Sequence, residues 1–484
     1  MGERPRGGPR RRSAQTPAQR QRRADPPRDT AYRTLRAVAD GAYANLELPQ
    51  QIRRAGLHGR DAAFTTELTY GTLRMQGLYD AVVARAAQRP VDRIDGPVLD
   101  VLRLGAHQLL AMRVPDHAAV SATVAVARQH VSQGSGGFVN AVLRRVSERS
   151  AEDWVEIVTA ELADPVDRLA LQHSHPVWVV RALRAALLGH GAADVGSVDE
   201  DLAALLHAHN TPGALTLAAR PGLGAEEALR AAGAQPSETC ATAWTLAAGD
   251  PGGLPAVRDG RAAVQDAGSQ LVTAALLDAS LQGRDERWLD LCAGPGGKAG
   301  LLAAAALARG AHLQANEISE HRAELVRHTL RAAVAAGARV EVTVSDGRIV
   351  GEESPEAFDR VLVDAPCTGL GALRRRPEAR WRRTPHDLTT LGPLQRDLLT
   401  SALRAVRPGG VVAYATCSPH LAETRLVVAD VVKRLGGVTV EDARPLLRDR
   451  AGLPLPRTGT GPGAQLWSHL HGTDGMFVAL LRRD

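Results

Sequence analysis

Lysine is almost missing from this chain. Of 59 basic residues only Lys298 and Lys433 are lysine, and Lys298 closes the glycine run Gly294-Pro295-Gly296-Gly297. In a chain that otherwise chooses arginine, a lysine there marks a place that wants a compact ammonium. Cysteine is scarce as well, with only Cys240, Cys292, Cys367 and Cys417. No C-x-x-C pair or Cys/His cluster has metal-ligand spacing, so no metal is expected, and four cysteines in 484 residues do not make a disulfide scaffold. Long apolar runs are absent: none approaches the roughly 18 residues of a membrane span, and the N-terminus lacks the apolar core of a secretory signal. A soluble, cytoplasmic protein with no membrane partner is expected. The G-x-G-x-x-G fingerprint of dinucleotide sites is absent too.

Basic charge is concentrated at one end. Residues 1–28 carry nine Arg against Glu3 and Asp25, so of the formal charge of +6 this stretch supplies +7 and the remainder −1. Rich in Pro, Gly, Gln and Arg, the stretch reads as a disordered tail. It suits contact with nucleic-acid phosphates; a solvated leader is the alternative.

From 29 to 150 the apolar residues keep helical spacing. Leu35, Val38 and Ala42 form one face, Phe64, Leu68, Leu73 and Leu78 continue it, and Val98, Val101, Leu102, Leu109 and Leu110 form a partner. Strand alternation is missing, so an all-α domain of about six or seven helices is expected. Residues 151–262 read as a connecting α+β region in which Cys240 is a buried small hydrophobe. From 263 to 484 short apolar strands alternate with helices: 288–291, 312–317, 340–344, 359–364 and 411–415, closed by 476–481, with Pro408-Gly409-Gly410 ending the helix 389–406 and another helix at 420–435. Repeated βα units imply a mostly parallel, doubly wound sheet.

In such a sheet ligands lie beyond the carboxyl ends of the strands. Those ends carry Cys292 with the glycine loop, Glu317, Asp346, Asp364 with Cys367, and Cys417. Structural acids would scatter, so this convergence predicts a site. Glu317 stands where a carboxylate accepts ribose hydroxyls, and the proline-containing loop suits a nucleoside ligand such as S-adenosylmethionine better than a pyrophosphate. The two later cysteines point to cytosine C5, a poor nucleophile that needs a thiolate added at C6 before it can take a methyl group. An exocyclic-amine methyltransferase needs no thiol. The chemistry alone does not say which cysteine attacks.

Two resemblances extend this reading. RDTAYRTLRAV (28–38), RDAAFTTELTYGTLR (60–74), VLRLGAHQLLAMRVPDHAAV (101–120) and GGFVNAVLRRV (136–146) resemble the NusB-like RNA-binding family. That implies RNA contact through basic helical faces, although His107, His117 and Asn140 are each expected simply to pack the bundle. VQDAGSQLV, DLCAGPGGK, VLVDAPCTGLG, RRRPEARWRR, VRPGGVVAYATCS and DGMFVALLRR resemble the Sun/Fmu-type bacterial small-subunit rRNA cytosine-5 methyltransferases of the Nop2/Sun family. The expected architecture is thus an all-α NusB-like domain plus an α/β Rossmann-like methyltransferase domain.

By position the resemblance implies that Cys292, Ala293, Gly294, Pro295, Gly296, Gly297 and Lys298 hold the methionine part of S-adenosylmethionine. Glu317 would take the ribose, Asp346 the adenine side, and Asp364 would lie between cofactor and cytosine. It makes Cys417 the nucleophile and Cys367 the residue that assists product release. Glu317 replaces a commoner Asp, Gly294 a usual Ala, Ala299 a Thr or Ser, and Thr424 the Asn of an E-N pair. The run Arg374–Arg383, with six Arg around Trp381, suggests an RNA grip by Arg375, Arg380, Trp381 and Arg382. The implied substrate is 16S rRNA or an early small-subunit particle, met by a monomer. The alternatives are another RNA such as tRNA, or a non-catalytic RNA-binding assembly factor.

Overall fold

Asp25 starts the first helix. Its carboxylate accepts the N–H of Arg28, and Pro26 and Pro27 supply a fixed φ where no donor is needed. The computed structural model describes residues 24–247 and 249–484. Most of the Arg-rich stretch lies outside the described residues, and the expected disorder through residue 28 is corrected at its end, because 26–28 are helical.

Helices α1 (Pro26–Ala39), α2 (Ala44–Arg54), α3 (Gly59–Arg74), α4 (Gln76–Ala87), α5 (Gly96–Leu110), α6 (Asp116–His130) and α7 (Ser135–Val146) come first. Among the described residues, one compact unit takes 24–41, Glu47–Thr72 and Tyr79–Trp154; the other takes Ala42–Leu46, Leu73–Leu78 and 155–484. In the first, Val101, Leu102, Leu104 and Ala106 of α5 are buried. A Cβ at Gly105 would lie 2.5 Å from a Leu143 methyl, so α5 and α7 meet closely there. His107 is buried and its Nδ1 pairs with the Tyr79 hydroxyl at 2.9 Å, whereas His117, expected to pack, is exposed.

Four helices follow: α8 (Ala151–Thr159), α9 (Pro165–Gln172), α10 (Val177–His190) and α11 (Val198–Asn210). Strands β1 (Leu215–Ala219), β2 (Gln235–Pro236), β3 (Ala243–Leu246) and β4 (Ala262–Val264), with α12 (Ala225–Ala231) and α13 (Pro255–Arg258), make an antiparallel sheet of order β2-β3-β1-β4. Leu217, Ala219, Leu229 and Trp244 form its core, and Cys240 is buried.

The second sheet positions the site. Its elements are α14 (Ala267–Asp278), β5 (Arg287–Asp290), α15 (Gly297–Arg309), β6 (His312–Glu317), α16 (Glu320–Ala335), β7 (Arg339–Val344), α17 (Val350–Glu353), β8 (Phe358–Asp364), α18 (Ala379–Arg382), α19 (Asp387–Ala405), β9 (Val406–Thr416), α20 (Arg425–Leu435), β10 (Val438–Glu441), β11 (Ala464–Gln465), α21 (Ser468–His471) and β12 (Phe477–Arg483). The order is β10-β12-β9-β8-β5-β6-β7, parallel from β9 to β7, with β12 antiparallel to β9 and β10 and with β11 beside β12. β5 is buried on both faces, Trp288 packing in one core and Leu289 in the other, which is why it reads as an unbroken apolar run.

Two expectations are corrected. Pro408-Gly409-Gly410 lies inside β9, where the pairing jumps from Phe358↔Val406 to Arg360↔Val411, so the strand bulges instead of starting after the glycines. α20 begins at Arg425, after a 3₁₀ turn at Leu421–Glu423. The short β10 and β11 carry too little pattern to be read as strands from the sequence.

Candidate active site

Successive strands step from β5 to β6 and β7 on one side, then return to β8 and β9 on the other. The switch point therefore falls between the carboxyl ends of β5 and β8, where an open α/β sheet leaves a crevice. β5 delivers the glycine loop there, and β8 delivers Asp364 and, past it, Cys367.

The loop is shaped by close approach. A Cβ at Gly294 would stand 2.2 Å from Glu317 Oε2, and Gly296 turns at φ +108° into the N-terminus of α15. The Gly294 N–H donates to Glu317 Oε2 at 3.0 Å and the Ser319 N–H to its Oε1 at 3.2 Å, so the buried Glu317 is fixed from both sides. Arg322 adds a bond to the Gly294 carbonyl. Lys298, in the first turn of α15, is 8% exposed and meets Asp364 Oδ2 at 2.6 Å. Burial works against its ammonium, but the Asp364 carboxylate outweighs that and raises its pKa. Asp346 sits beyond β7 with its carboxylate bound to Arg348, which holds it below the ordinary range.

The two cysteines of the adjacent β8 and β9 loops come together, Cys367 Sγ to Cys417 Sγ being 3.4 Å. Their environments differ. The hydrogen bond shared with Cys367, helped by the Lys298 ammonium, holds the Cys417 thiol below its ordinary pKa despite burial. That same bond, burial, and the carboxylates of Glu423 and Asp364 push the Cys367 thiol well up. Cys292 is held up by burial and by Asp290, Asp364 and Glu317, so it stays an inert thiol.

Sequence reasoning misses three residues here. Asn316, one before Glu317, ties three strand ends: its Nδ2 donates to the Leu291 and Ser345 carbonyls at 3.2 and 3.1 Å, and its Oδ1 accepts from Thr343 and Ser345. Asp290, at the end of β5, is fully buried, and no described side chain donates to either of its oxygens. Burial, followed by Asp364, pushes its pKa up to about 7. The aspartate closing WLD is the available signal. Glu423 is the third; the departure from the E-N pair draws attention to its neighbour Thr424 instead.

The expected RNA grip needs correction. Arg380 is wholly buried: its guanidinium donates to the carbonyls of Arg74, Ser174 and His209 and to Asn210 Oδ1, so it cannot reach a phosphate. Trp381 is half-buried, its ring 2.4 Å from where a Cβ on Gly77 would stand. Arg382 is bonded to the Ala42 carbonyl and lies over the Tyr43 ring at 5.4 Å. Arg375 pairs with Asp474 while its side chain stays 42% exposed, and Arg376, outside the expected grip, is exposed. Among the described residues no cluster of His, Cys, Asp or Glu could hold a metal ion, and no helix is long and apolar enough to cross a membrane.

Comparison with known proteins agrees with this architecture. Residues 274–482 match the family model described as 16S rRNA methyltransferase RsmB/F, and residues 25–148 match the NusB family. The ribosomal RNA small subunit methyltransferase B of Pseudomonas putida is 33% identical, covering 94% of this chain and 98% of its own length. A Mycobacterium tuberculosis protein described as a methyltransferase is 52% identical over 96% of this chain and 98% of its own. The crystal structure of the protein PH0851 superposes with a TM-score of 0.75 over 95% of this chain and 99% of that one, at 20% identity, and so shares the fold. With a relative of this identity matching nearly end to end, the chain belongs to the RsmB/F family of 16S rRNA methyltransferases and carries a NusB-family domain at its N-terminal end.

Proposed function

We propose that this protein methylates C5 of a cytosine in 16S rRNA, using S-adenosylmethionine, in the cytoplasm and as a monomer. The substrate is the rRNA or an early small-subunit particle, and the NusB-family domain adds RNA contacts. One observation carries the reading: two thiols 3.4 Å apart stand beside the Lys298–Asp364 ion pair at the switch point. Cys417, the cysteine of the T-C-S stretch, is the nucleophile, as the family resemblance implies, and the Lys298 ammonium favours its thiolate. Its thiolate adds to C6 and forms the C6–S bond; C5 gains enamine character and takes the methyl group as the sulfonium's S–CH3 bond breaks; a base then takes the C5 proton as the C6–S bond breaks and the Cys417 thiolate leaves. Cys367, held as a thiol, assists that release. Asp364 and Lys298 face the base from the cofactor side.

S-adenosylmethionine, when bound, supplies an electrophilic methyl. The residues present fit it. The buried carboxyl of Asp290, to which no described side chain donates, suits an α-ammonium, the glycine loop 292–298 suits close approach of the methionine part, Glu317 suits ribose hydroxyls and Asp346 the adenine side. Incubation with unmethylated 16S rRNA and radiolabelled cofactor should place label on cytosine C5. No label overturns the enzyme reading, and label in tRNA alone moves the substrate. Cys417→Ala should abolish transfer, whereas Cys367→Ala should leave a covalent RNA adduct on a denaturing gel. The reverse pattern would mean that the two roles are exchanged.

A further inference from the structure

Each active-site cysteine is followed by a hydroxyl residue, Thr368 after Cys367 and Ser418 after Cys417. Both hydroxyls end on one carboxylate. Glu423 is wholly buried; its Oε2 accepts from Thr368 Oγ1 and from Ser418 Oγ at 2.6 Å, and its Oε1 accepts the Thr368 N–H at 2.8 Å and Gln395 Nε2 at 3.2 Å. Gln395, on α19, also donates to the Pro366 carbonyl at 2.8 Å, so the Cys367 loop is held on both sides of its thiol. Thr368 and Ser418 lie 3.1 Å apart, oxygen to oxygen. The Tyr414 hydroxyl donates to the Glu423 carbonyl at 2.8 Å, fixing the backbone of the hub as well. All these partners are neutral. A buried carboxylate without a cation is a poor source of stability, and four convergent donors around it define one geometry.

We propose that Glu423 is a positioning residue, a buried clamp that sets the Cys367 and Cys417 loops in register and so holds the two thiols at a common reacting distance. This rests on the two-cysteine reading above. Both thiols must serve one bond, the first forming it and the second assisting its cleavage, and a misplacement of about 1 Å in such a pair costs on the order of 10²-fold in rate.

Three variants and two measurements test it. Methyl transfer to 16S rRNA gives kcat and KM. Separately, the RNA-free protein is treated with diamide, which takes both thiol hydrogens, becomes the hydrazine and leaves a Cys367–Cys417 disulfide counted by mass spectrometry. Glu423→Ala is expected to lose roughly 10²-fold in kcat, with KM for RNA and Kd for cofactor within about twofold, and to cross-link about tenfold more slowly. In Glu423→Gln the amide oxygen takes the place of Oε1 and its NH₂ donates to the two hydroxyls, so most of both losses should be recovered. Ser418→Ala, lacking one tie, should fall between. Unchanged kcat and cross-linking in Glu423→Ala overturn the clamp, as does Glu423→Gln behaving like Glu423→Ala, which would mean that charge and not geometry matters. If Glu423→Ala does not fold, wild-type rates of both kinds in Ser418→Ala overturn it instead. If the wild-type protein labels no cytosine, the proposed function fails, while the cross-linking rates still judge the clamp.

Discussion

Lys298 and Arg380 are both buried cations, and both look like ligand-binding groups from their motifs. Their surroundings separate them. Lys298 meets a carboxylate at 2.6 Å at the mouth of a crevice, where Asp364 keeps 33% of its side chain exposed. Arg380 is wholly enclosed and spends its donors on three backbone carbonyls and one amide oxygen. Burial and its neighbour Arg74 push its pKa down to about 9, and the Glu378 carboxylate offsets them only in part. A charge facing an opposite charge at an open edge can reorganise around a ligand. A charge that saturates carbonyls is a strut, joining residues 74, 174 and 209–210 to the segment after Cys367.

The contrast breaks if the two cations respond alike to removal. Lys298→Met should cut kcat/KM by about 10²–10³-fold, as loss of one preorganised donor does, with little change in Tm. Arg380→Met should do the opposite: several oxygens lose their donor inside the core, costing about 3 kcal/mol and several degrees of Tm, while the folded fraction keeps its kcat. Thermal melts beside steady-state assays decide it. If Arg380→Met melted like wild type and weakened RNA binding, the strut reading would fail and the RNA grip would return.

The same contrast shows what a sequence makes legible. Strand ends are visible as polar residues after apolar runs, so Cys292, Glu317, Asp364, Cys367 and Cys417 can be placed at one edge from the residue pattern alone. Lys298 stands out by rarity. Arg380 lies in an irregular segment where neither period 3.6 nor period 2 says which side is buried, so six arginines look equivalent. Asn316 and Glu423 stay hidden for another reason: their partners are 25 and 55 residues away, Leu291 and Thr368, and only the sheet order makes them neighbours. The bulge in β9 is hidden because Pro-Gly-Gly ordinarily ends an element.

Asp290 offers a smaller effect with a definite sign. Its folded pKa of about 7 lies above the ordinary 3.8, so the folded protein binds the extra proton between those values. Stability of the unliganded protein should therefore fall as pH rises from about 4 to 7 and level off above 7. A bound ammonium needs the carboxylate, so cofactor affinity should run the other way, weakening by up to about tenfold per unit as pH drops below 7. Calorimetric titration across pH 5.5–8.5 measures this, and Asp290→Asn should flatten both profiles. A slope that survives in Asp290→Asn belongs to another group.

The smallest effect concerns two positions where this chain departs together from its family resemblance, Gly for Ala at 294 and Glu for Asp at 317. The geometry makes them one change. Glu317 reaches so far that its Oε2 stands 2.2 Å from where a Gly294 methyl would be, and 3.0 Å from the Gly294 N–H it accepts. Gly294→Ala alone must push that carboxylate aside and should weaken cofactor binding about fivefold; Glu317→Asp alone withdraws it from the N–H and should cost about threefold. In the double variant the shorter acid clears the methyl, so affinity should return to within about twofold of wild type, a coupling on the order of 1 kcal/mol between residues in contact. Independent sites would multiply to about fifteenfold instead, and that result would separate the two departures and leave the glycine to the turn alone.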